Sequence, residues 1–307
     1  MTPKTSATDG KRCQVGCAGL PREELPASSR HPVIPSSRHP VIPSSRHQET
    51  GPGCRLVPIL AYHSLDSSGS VLSVAPEVFR RQMVILRERG FHGIGLGHLL
   101  SGWQGRRDLP RRPVVLTFDD GFRSVLEEAV PVLTELGFSA TIFVVAGYCG
   151  GTNDWPSQPP ALPRLPLLSW ADLRALGAAG LEIGAHGLTH APLTHLSARE
   201  AGREIVGSKA ILEEKLGRPV VTFAYPYGLA GRAHRDLAAT HYRGACGVTL
   251  RRARFKDDRC RLPRIEMYYF RRMSCFRILF TPLGRAYLRC RAAGRVCRAL
   301  ARRSFSP

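Results

Sequence analysis

A chain of 307 residues with 43% hydrophobic and 22% charged side chains has the make-up of a globular protein with a sizeable core, in one large domain or two smaller ones. Its net charge of +20 is uneven: residues 251–307 hold 17 basic against 3 acidic side chains, whereas residues 56–250 hold 19 against 17, so the basicity belongs to the ends and says little about a substrate. No run of 18 apolar residues occurs and the first 20 residues lack a secretory apolar segment, which excludes a membrane-spanning helix and favours a cytoplasmic or peripheral-membrane location.

Residues 1–55 read as a disordered, low-complexity leader. Within it, residues 28–47 repeat SSRHPVIP twice and then SSRH, and two prolines per eight residues forbid a helix or a paired strand. Nine cysteines are scattered with no CxxC pair, which reads as mostly reduced, unpaired thiols. Order begins with an apolar run, 56–62, that ends in His63 and predicts a first strand. A helix is predicted over 76–89, opened by Pro76 and stopped by Gly90. Residues 91–100 read as a short strand and turn, and 103–113 as a basic loop.

The central stretch is Pro113 to Gly121, a β-branched apolar strand delivering Asp119 and Asp120 at its C-terminal edge. A helix over 124–136 follows, capped by Ser124, interrupted at Pro131 and stopped by Gly137. Residues 140–145 are a strand, 147–166 a Gly/Pro-rich loop, and Ser169 starts a helix that runs to about Gly180. The strand 181–184 leads into His186 and His190. Ser197 and Glu200 form a capping box for a long helix to residue 216. The strand 220–224 ends in Tyr225-Pro226-Tyr227-Gly228, and one more helix and strand follow.

Strands alternating with helices predict parallel βα units. About seven strands, with the reactive side chains at their C-terminal ends, point to an α/β fold built as a distorted (β/α) barrel. Side chains alternate along a strand, so Asp119 and Asp120 cannot serve in the same direction; one can hold a metal while the other handles a proton. His186 and His190, four apart after a strand, can reach one ion, and two imidazoles with a carboxylate leave open positions for water and substrate.

From about residue 56 to 266 the chain resembles the polysaccharide deacetylase family, the NodB-homology enzymes of carbohydrate esterase family 4. The resemblance rests on Leu-Thr-Phe-Asp119-Asp120-Gly121, His186-Gly-Leu-Thr-His190 and Phe-Ala-Tyr-Pro226-Tyr227-Gly228, with support from Tyr62-His63 and Leu-Pro-Arg-Ile at 262–265. It implies a catalytic domain over 56–268 that removes N-acetyl groups from a polysaccharide or glycan of N-acetylglucosamine type. It also implies a divalent metal, zinc above others, held by Asp120, His186 and His190. Asp119 would be the general base, and the turn of Pro226 and Tyr227 would stabilise the oxyanion. His195 is a competing ligand or a bystander. Two features depart from the commoner pattern. Ala224 stands where many members carry an arginine that orients the base, and no histidine follows residue 241. The early Tyr62-His63 resembles the circularly permuted branch, in which His63 would be the general acid. The alternatives are an inactive sugar-binding relative and a same-fold hydrolase of small cyclic amides or ureides.

Residues 269–307 read as a basic, amphipathic tail, with 271–307 suited to peripheral contact with an anionic membrane. No recognition motif accompanies its arginines, which argues against nucleic acid.

Overall fold

The computed structural model of the protein describes residues 56–304, with side chains through Arg295. The leader, with its histidine repeat, lies outside the described residues. Among the described residues eight strands, all parallel, make one sheet. They are β1 (Ile59–Tyr62), β2 (His92–Ile94), β3 (Pro113–Phe118), β4 (Thr141–Val144), β5 (Glu182–Ala185), β6 (Thr222–Ala224), β7 (Gly244–Cys246) and β8 (Ile265–Glu266). Seven follow one another in the order β7-β6-β5-β4-β3-β1-β8, and β2 shares an edge of β3 with β4. A parallel bridge between Cys246 and Leu262, just ahead of β8, joins the two ends and curls the sheet into the expected distorted barrel.

The register sets the site. Tyr62 pairs with Phe118, so His63 and Asp119 leave neighbouring strands at one level, and Ala61 pairs with Glu266, which places Glu266 two residues lower on the strand flanking β1. Apolar residues divide between the two faces of the sheet. Ile59, Val115, Phe143, Ala224, Cys246 and Leu262 form the smaller, inner cluster. Leu60, Leu116, Ile142, Ile183 and Phe223 join the larger cluster under the helices. Strands buried on both faces explain why each reads as an unbroken apolar run rather than an alternating one. Gly184 is required on β5: a Cβ there would lie 2.5 Å from the Phe143 ring.

Outside the sheet lie α1 (Pro76–Glu88), α2 (Leu96–Trp103), α3 (Val130–Leu136), α4 (Trp170–Ala178), α5 (Ala198–Gly202), α6 (Ser208–Leu216), α7 (Arg232–His241), α8 (Met273–Ile278) and α9 (Pro282–Ser304). The capping boxes at Ser169 and Ser197 form as the sequence predicts. Pro131 does interrupt its helix, which opens as a single π-helical turn over 125–129 before α3. Two local readings differ. Ser124 caps nothing; its hydroxyl instead holds the segment after β1 through Leu65 N–H and Ser64 Oγ. Residues 96–103, which fall between the strand and turn read over 91–100 and the loop read from 103, are helix α2, whose Gly97 N–H donates to the half-buried carboxylate of Glu182 at 2.7 Å. The basic tail is helical as far as Ser304, and Phe276, Leu279 and Leu288 are buried in the main core.

Candidate functional site

The six side chains expected at one site gather at the C-terminal edge of the sheet. Asp119 and Asp120 follow β3, His186 and His190 follow β5, Tyr227 follows β6, and His63 follows β1. Asp119 is buried, and its partner is Arg264, which donates Nη1 to Oδ1 at 2.6 Å and Nη2 to Oδ2 at 2.7 Å. Such a two-pronged pair fixes the carboxylate's plane as well as its charge. Burial would raise the Asp119 carboxyl, but Arg264, with His186 and His63, holds it below the usual carboxylate range. Arg264 is itself tied to the Gly247 carbonyl through Nε at 3.2 Å.

Asp120 turns the other way, its backbone in the left-handed region at φ 70°, with Gly121 at φ 78° immediately after. The chain can then reverse direction within two residues, which separates the two carboxylates. Asp120 Oδ1 lies 3.4 Å from His186 Nε2 and 3.3 Å from His190 Nε2. Ligands about 2.1 Å from a shared tetrahedral ion sit about 3.4 Å apart, so these three atoms have the spacing of a metal site. Two further observations fit a cation there. Asp120 Oδ1 is buried without a hydrogen-bond partner. His186 Nδ1 is 2.8 Å from the Ala224 carbonyl, which can only accept, so Nδ1 carries the proton and Nε2 presents a lone pair. Asp120 is held well below the usual carboxylate range, against the effect of burial, by the two imidazoles, and burial lowers His190. The cluster suits a divalent ion. His195 is exposed on a short turn at 193–195 and stands apart from it.

The loop that carries the histidines is built by its neighbours. Glu204, buried on a π-helical turn over 203–207, accepts Leu188 N–H at 2.8 Å, Thr189 N–H at 2.9 Å and the Thr189 hydroxyl at 2.6 Å. His190 is also left-handed, at φ 58°. It is clamped by Trp155, whose ring centroid lies 4.4 Å away, and by Ser157 Oγ, which donates to the His190 carbonyl at 2.9 Å. Tyr227, at φ 56°, packs its ring on His190 and donates its hydroxyl to the Ser157 carbonyl. The Gly/Pro-rich loop 147–166 is therefore the outer wall of the metal-type cluster.

His63 is one-fifth exposed, enough to be reached from solvent, and stands between two carboxylates: Nε2 is 3.9 Å from Asp119 Oδ2 and Nδ1 is 3.7 Å from Glu266 Oε1. Burial pulls its pKa down, but Glu266, Asp119 and Asp120 outweigh that and leave it raised. Burial raises Glu266.

Arg264, Glu266, Glu204 and Trp155 are the members that the sequence reading did not assign. Glu266 ends β8 and Arg264 lies just ahead of it, two residues apart in nearly extended chain, which is a usable sign of two side chains on one face. The inner-face position of Ala224 shows why no arginine is needed there: it is packed among apolar residues while Arg264 reaches the same carboxylate from beside β8.

Residues 106–243 match the sequence model of the polysaccharide deacetylase family. A putative polysaccharide deacetylase of Bacillus subtilis, YxkH, is 26% identical over 172 residues, 56% of this chain and 57% of its own. The poly-beta-1,6-N-acetyl-D-glucosamine N-deacetylase of Staphylococcus aureus is 26% identical over 166 residues, 51% of this chain and 54% of its own. The chain thus spans about half the length of the curated relatives it matches. The solved structure of IcaB from Ammonifex degensii superposes with a TM-score of 0.59 at 25% identity, covering 70% of this chain and 94% of that one. His63, Arg264 and Glu266 all lie outside the residues matched by the family model.

Proposed function

We propose that this chain, which carries a polysaccharide deacetylase domain, is a metal-dependent hydrolase that removes N-acetyl groups from a glycan of N-acetylglucosamine type. The observation that carries the reading is the juxtaposition at one mouth of two different carboxylate environments. Asp119 is locked to Arg264, and the adjacent Asp120 faces two imidazole nitrogens at 3.3–3.4 Å. The name of the Staphylococcus aureus relative supports the choice of glycan.

In this reading Asp120, His186 and His190 hold the ion, with zinc the preferred one for a two-imidazole, one-carboxylate set. When bound, such an ion supplies Lewis-acid polarisation of the acetyl carbonyl and a more acidic water. Asp119, kept ionised by Arg264, takes the proton of the attacking water. Arg264 leaves Asp119 one direction in which to accept it, since both oxygens are already engaged on the arginine side. The Tyr227 backbone N–H, presented by the left-handed turn after Pro226, donates to the oxygen on which charge develops. His63, protonated beside Glu266, gives its proton to the departing amine as the C–N bond breaks. Water and amide become acetate and free amine. The placement of the acid on β1 supports assignment to the permuted branch.

The reading as an inactive sugar-binding relative loses its main ground, because Arg264 supplies the guanidinium that position 224 lacks. Residues 271–307, with ten arginines and no acidic residue, are the segment through which the chain would meet an anionic membrane. The direct test is acetate release from β-1,6- and β-1,4-linked N-acetylglucosamine oligomers, with and without a chelator. Chelator-sensitive release from either supports the reading. No release from any N-acetylated glycan, or release that resists chelation, contradicts it.

A further inference from the structure

The edge of the barrel opposite the site has its own chemistry. The chain just ahead of β1, β2 and β3, together with Phe280, surrounds a cavity of about 240 Å³. Because every strand is parallel, this cavity lies at the N-terminal edge of the sheet, whereas Asp119 and His63 leave the C-terminal edge. Arg111, Arg112 and Arg252 line it beside Leu56, Phe91 and Phe280, and its lining contains no carboxylate.

Arg112 and Arg252 are both held in place without an acidic partner among the described residues. The Arg112 guanidinium lies 4.6 Å from the Phe91 ring centre and donates Nη1 to the Arg89 carbonyl at 2.6 Å. The Arg252 guanidinium lies 5.7 Å from the Phe280 ring centre and donates Nη2 to the Leu279 carbonyl at 2.9 Å. Its buried Nε has no hydrogen-bond partner. Arg112 is exposed and Arg252 half-buried; guanidinium groups fixed in this way by rings and carbonyls keep donors to offer, and an oxyanion is the ligand that a planar fork fits. Burial lowers the Arg252 pKa, and so does the charge of Arg285.

The surroundings say what kind of oxyanion. Leu56 at the rim is 41% exposed, and Leu283, three residues beyond Phe280, is 68% exposed. Arg285 and Arg289 are exposed on α9. Apolar side chains interleaved with arginines and no acids are the surface of an interfacial element rather than of a site for a free ion.

We propose that this cleft receives the phosphate of an anionic membrane lipid, with α9 lying alongside on the same surface. The proposal deepens the reading of 271–307 as membrane-facing and is independent of the deacetylase chemistry. It orients the molecule: with the barrel's N-terminal edge on the lipid, the reactive mouth points away from the membrane, toward a surface glycan.

The test is co-sedimentation of the full chain with phosphatidylcholine vesicles and with vesicles of equal parts phosphatidylcholine and phosphatidylglycerol. The wild-type chain binds the second and not the first. Arg112→Gln with Arg252→Gln weakens binding by about fivefold per arginine removed, and the corresponding lysine pair, which keeps the charge without the fork, recovers only part of it. Should the glutamine pair fail to fold, Leu56→Trp in the otherwise native chain serves instead: the emission of the introduced indole shifts to the blue on phosphatidylglycerol vesicles only. Vesicle binding kept by the Arg112/Arg252 variant but lost by Arg285→Gln with Arg289→Gln overturns the cleft and leaves the membrane reading of the tail. An unshifted emission from the Leu56→Trp chain overturns the cleft as well. No vesicle binding by the wild type overturns both, and thermal stabilisation by inorganic phosphate in that case assigns the cleft to a soluble phosphate.

Discussion

Arg264 and Asp119 are 145 residues apart, and only the closing of the barrel brings them together; Glu266 reaches His63 in the same way. Each supports a prediction. Arg264→Ala leaves a buried carboxylate without its cation, so the Asp119 pKa rises from its lowered value. With Asp119 as the proposed base, Arg264→Ala is expected to move the acidic limb of the pH–activity profile upward and to lower turnover about 10²–10⁴-fold. Arg264→Lys restores charge but not the fork and recovers only a fraction. Glu266→Gln acts on the other limb. His63 is raised chiefly by Glu266, so it stays protonated to higher pH in the native chain; without that carboxylate its pKa falls and the alkaline limb moves to lower pH while the acidic limb stays. A pH profile in which Glu266→Gln left the alkaline limb in place would remove His63 as the proton donor.

Elements whose signals were local formed as read. The capping boxes at Ser169 and Ser197 and the glycine stop at Gly137 need nothing from the rest of the chain. Helix α2 was missed because it is only eight residues long and Gly97 and Gly102 within it weaken its local signal. What stabilises its first turn is Glu182 from β5, accepting Gly97 N–H and the Thr222 hydroxyl. Burial raises the Glu182 pKa, so ionising it disfavours the fold: the linked stability is full below the unfolded carboxylate pKa and falls as pH rises through the raised folded value. Glu182→Gln, a mimic of the protonated acid, therefore gains on the native chain in denaturant titrations as pH rises from 4 to 8 (roughly the carboxylate range and above); a difference independent of pH would contradict this. Glu204 does for the histidine loop what Glu182 does for α2. Glu204→Gln cannot accept Leu188 N–H, Thr189 N–H and the Thr189 hydroxyl as the carboxylate does. Metal affinity measured by competition with a chromophoric chelator should fall about 10–100-fold, with turnover near native once the ion is saturating.

At the scale of the molecule, the barrel was legible from the alternation of strands and helices, and the C-terminal segment was only half legible. Its arginines dominate the composition, yet Phe276, Leu279 and Leu288 are buried in the main core. Phe276→Ala should cost about 3–5 kcal/mol of stability by equilibrium unfolding, a loss no freely solvated tail would show. The barrel also explains why two adjacent aspartates can do different work. β3 aims Asp119 at Arg264, and the left-handed backbone at Asp120 turns its carboxylate toward His186 and His190. The measurement that reaches this most directly is metal content taken together with acetate release, for Asp119→Asn and Asp120→Asn side by side. Asp119→Asn is expected to keep about one divalent ion per chain while turnover falls about 10²–10⁴-fold, the usual worth of a general base. Asp120→Asn is expected to lose both the ion and the activity. Equal metal content in the two variants, or near-native acetate release by Asp119→Asn, would contradict the division of labour at the centre of this site.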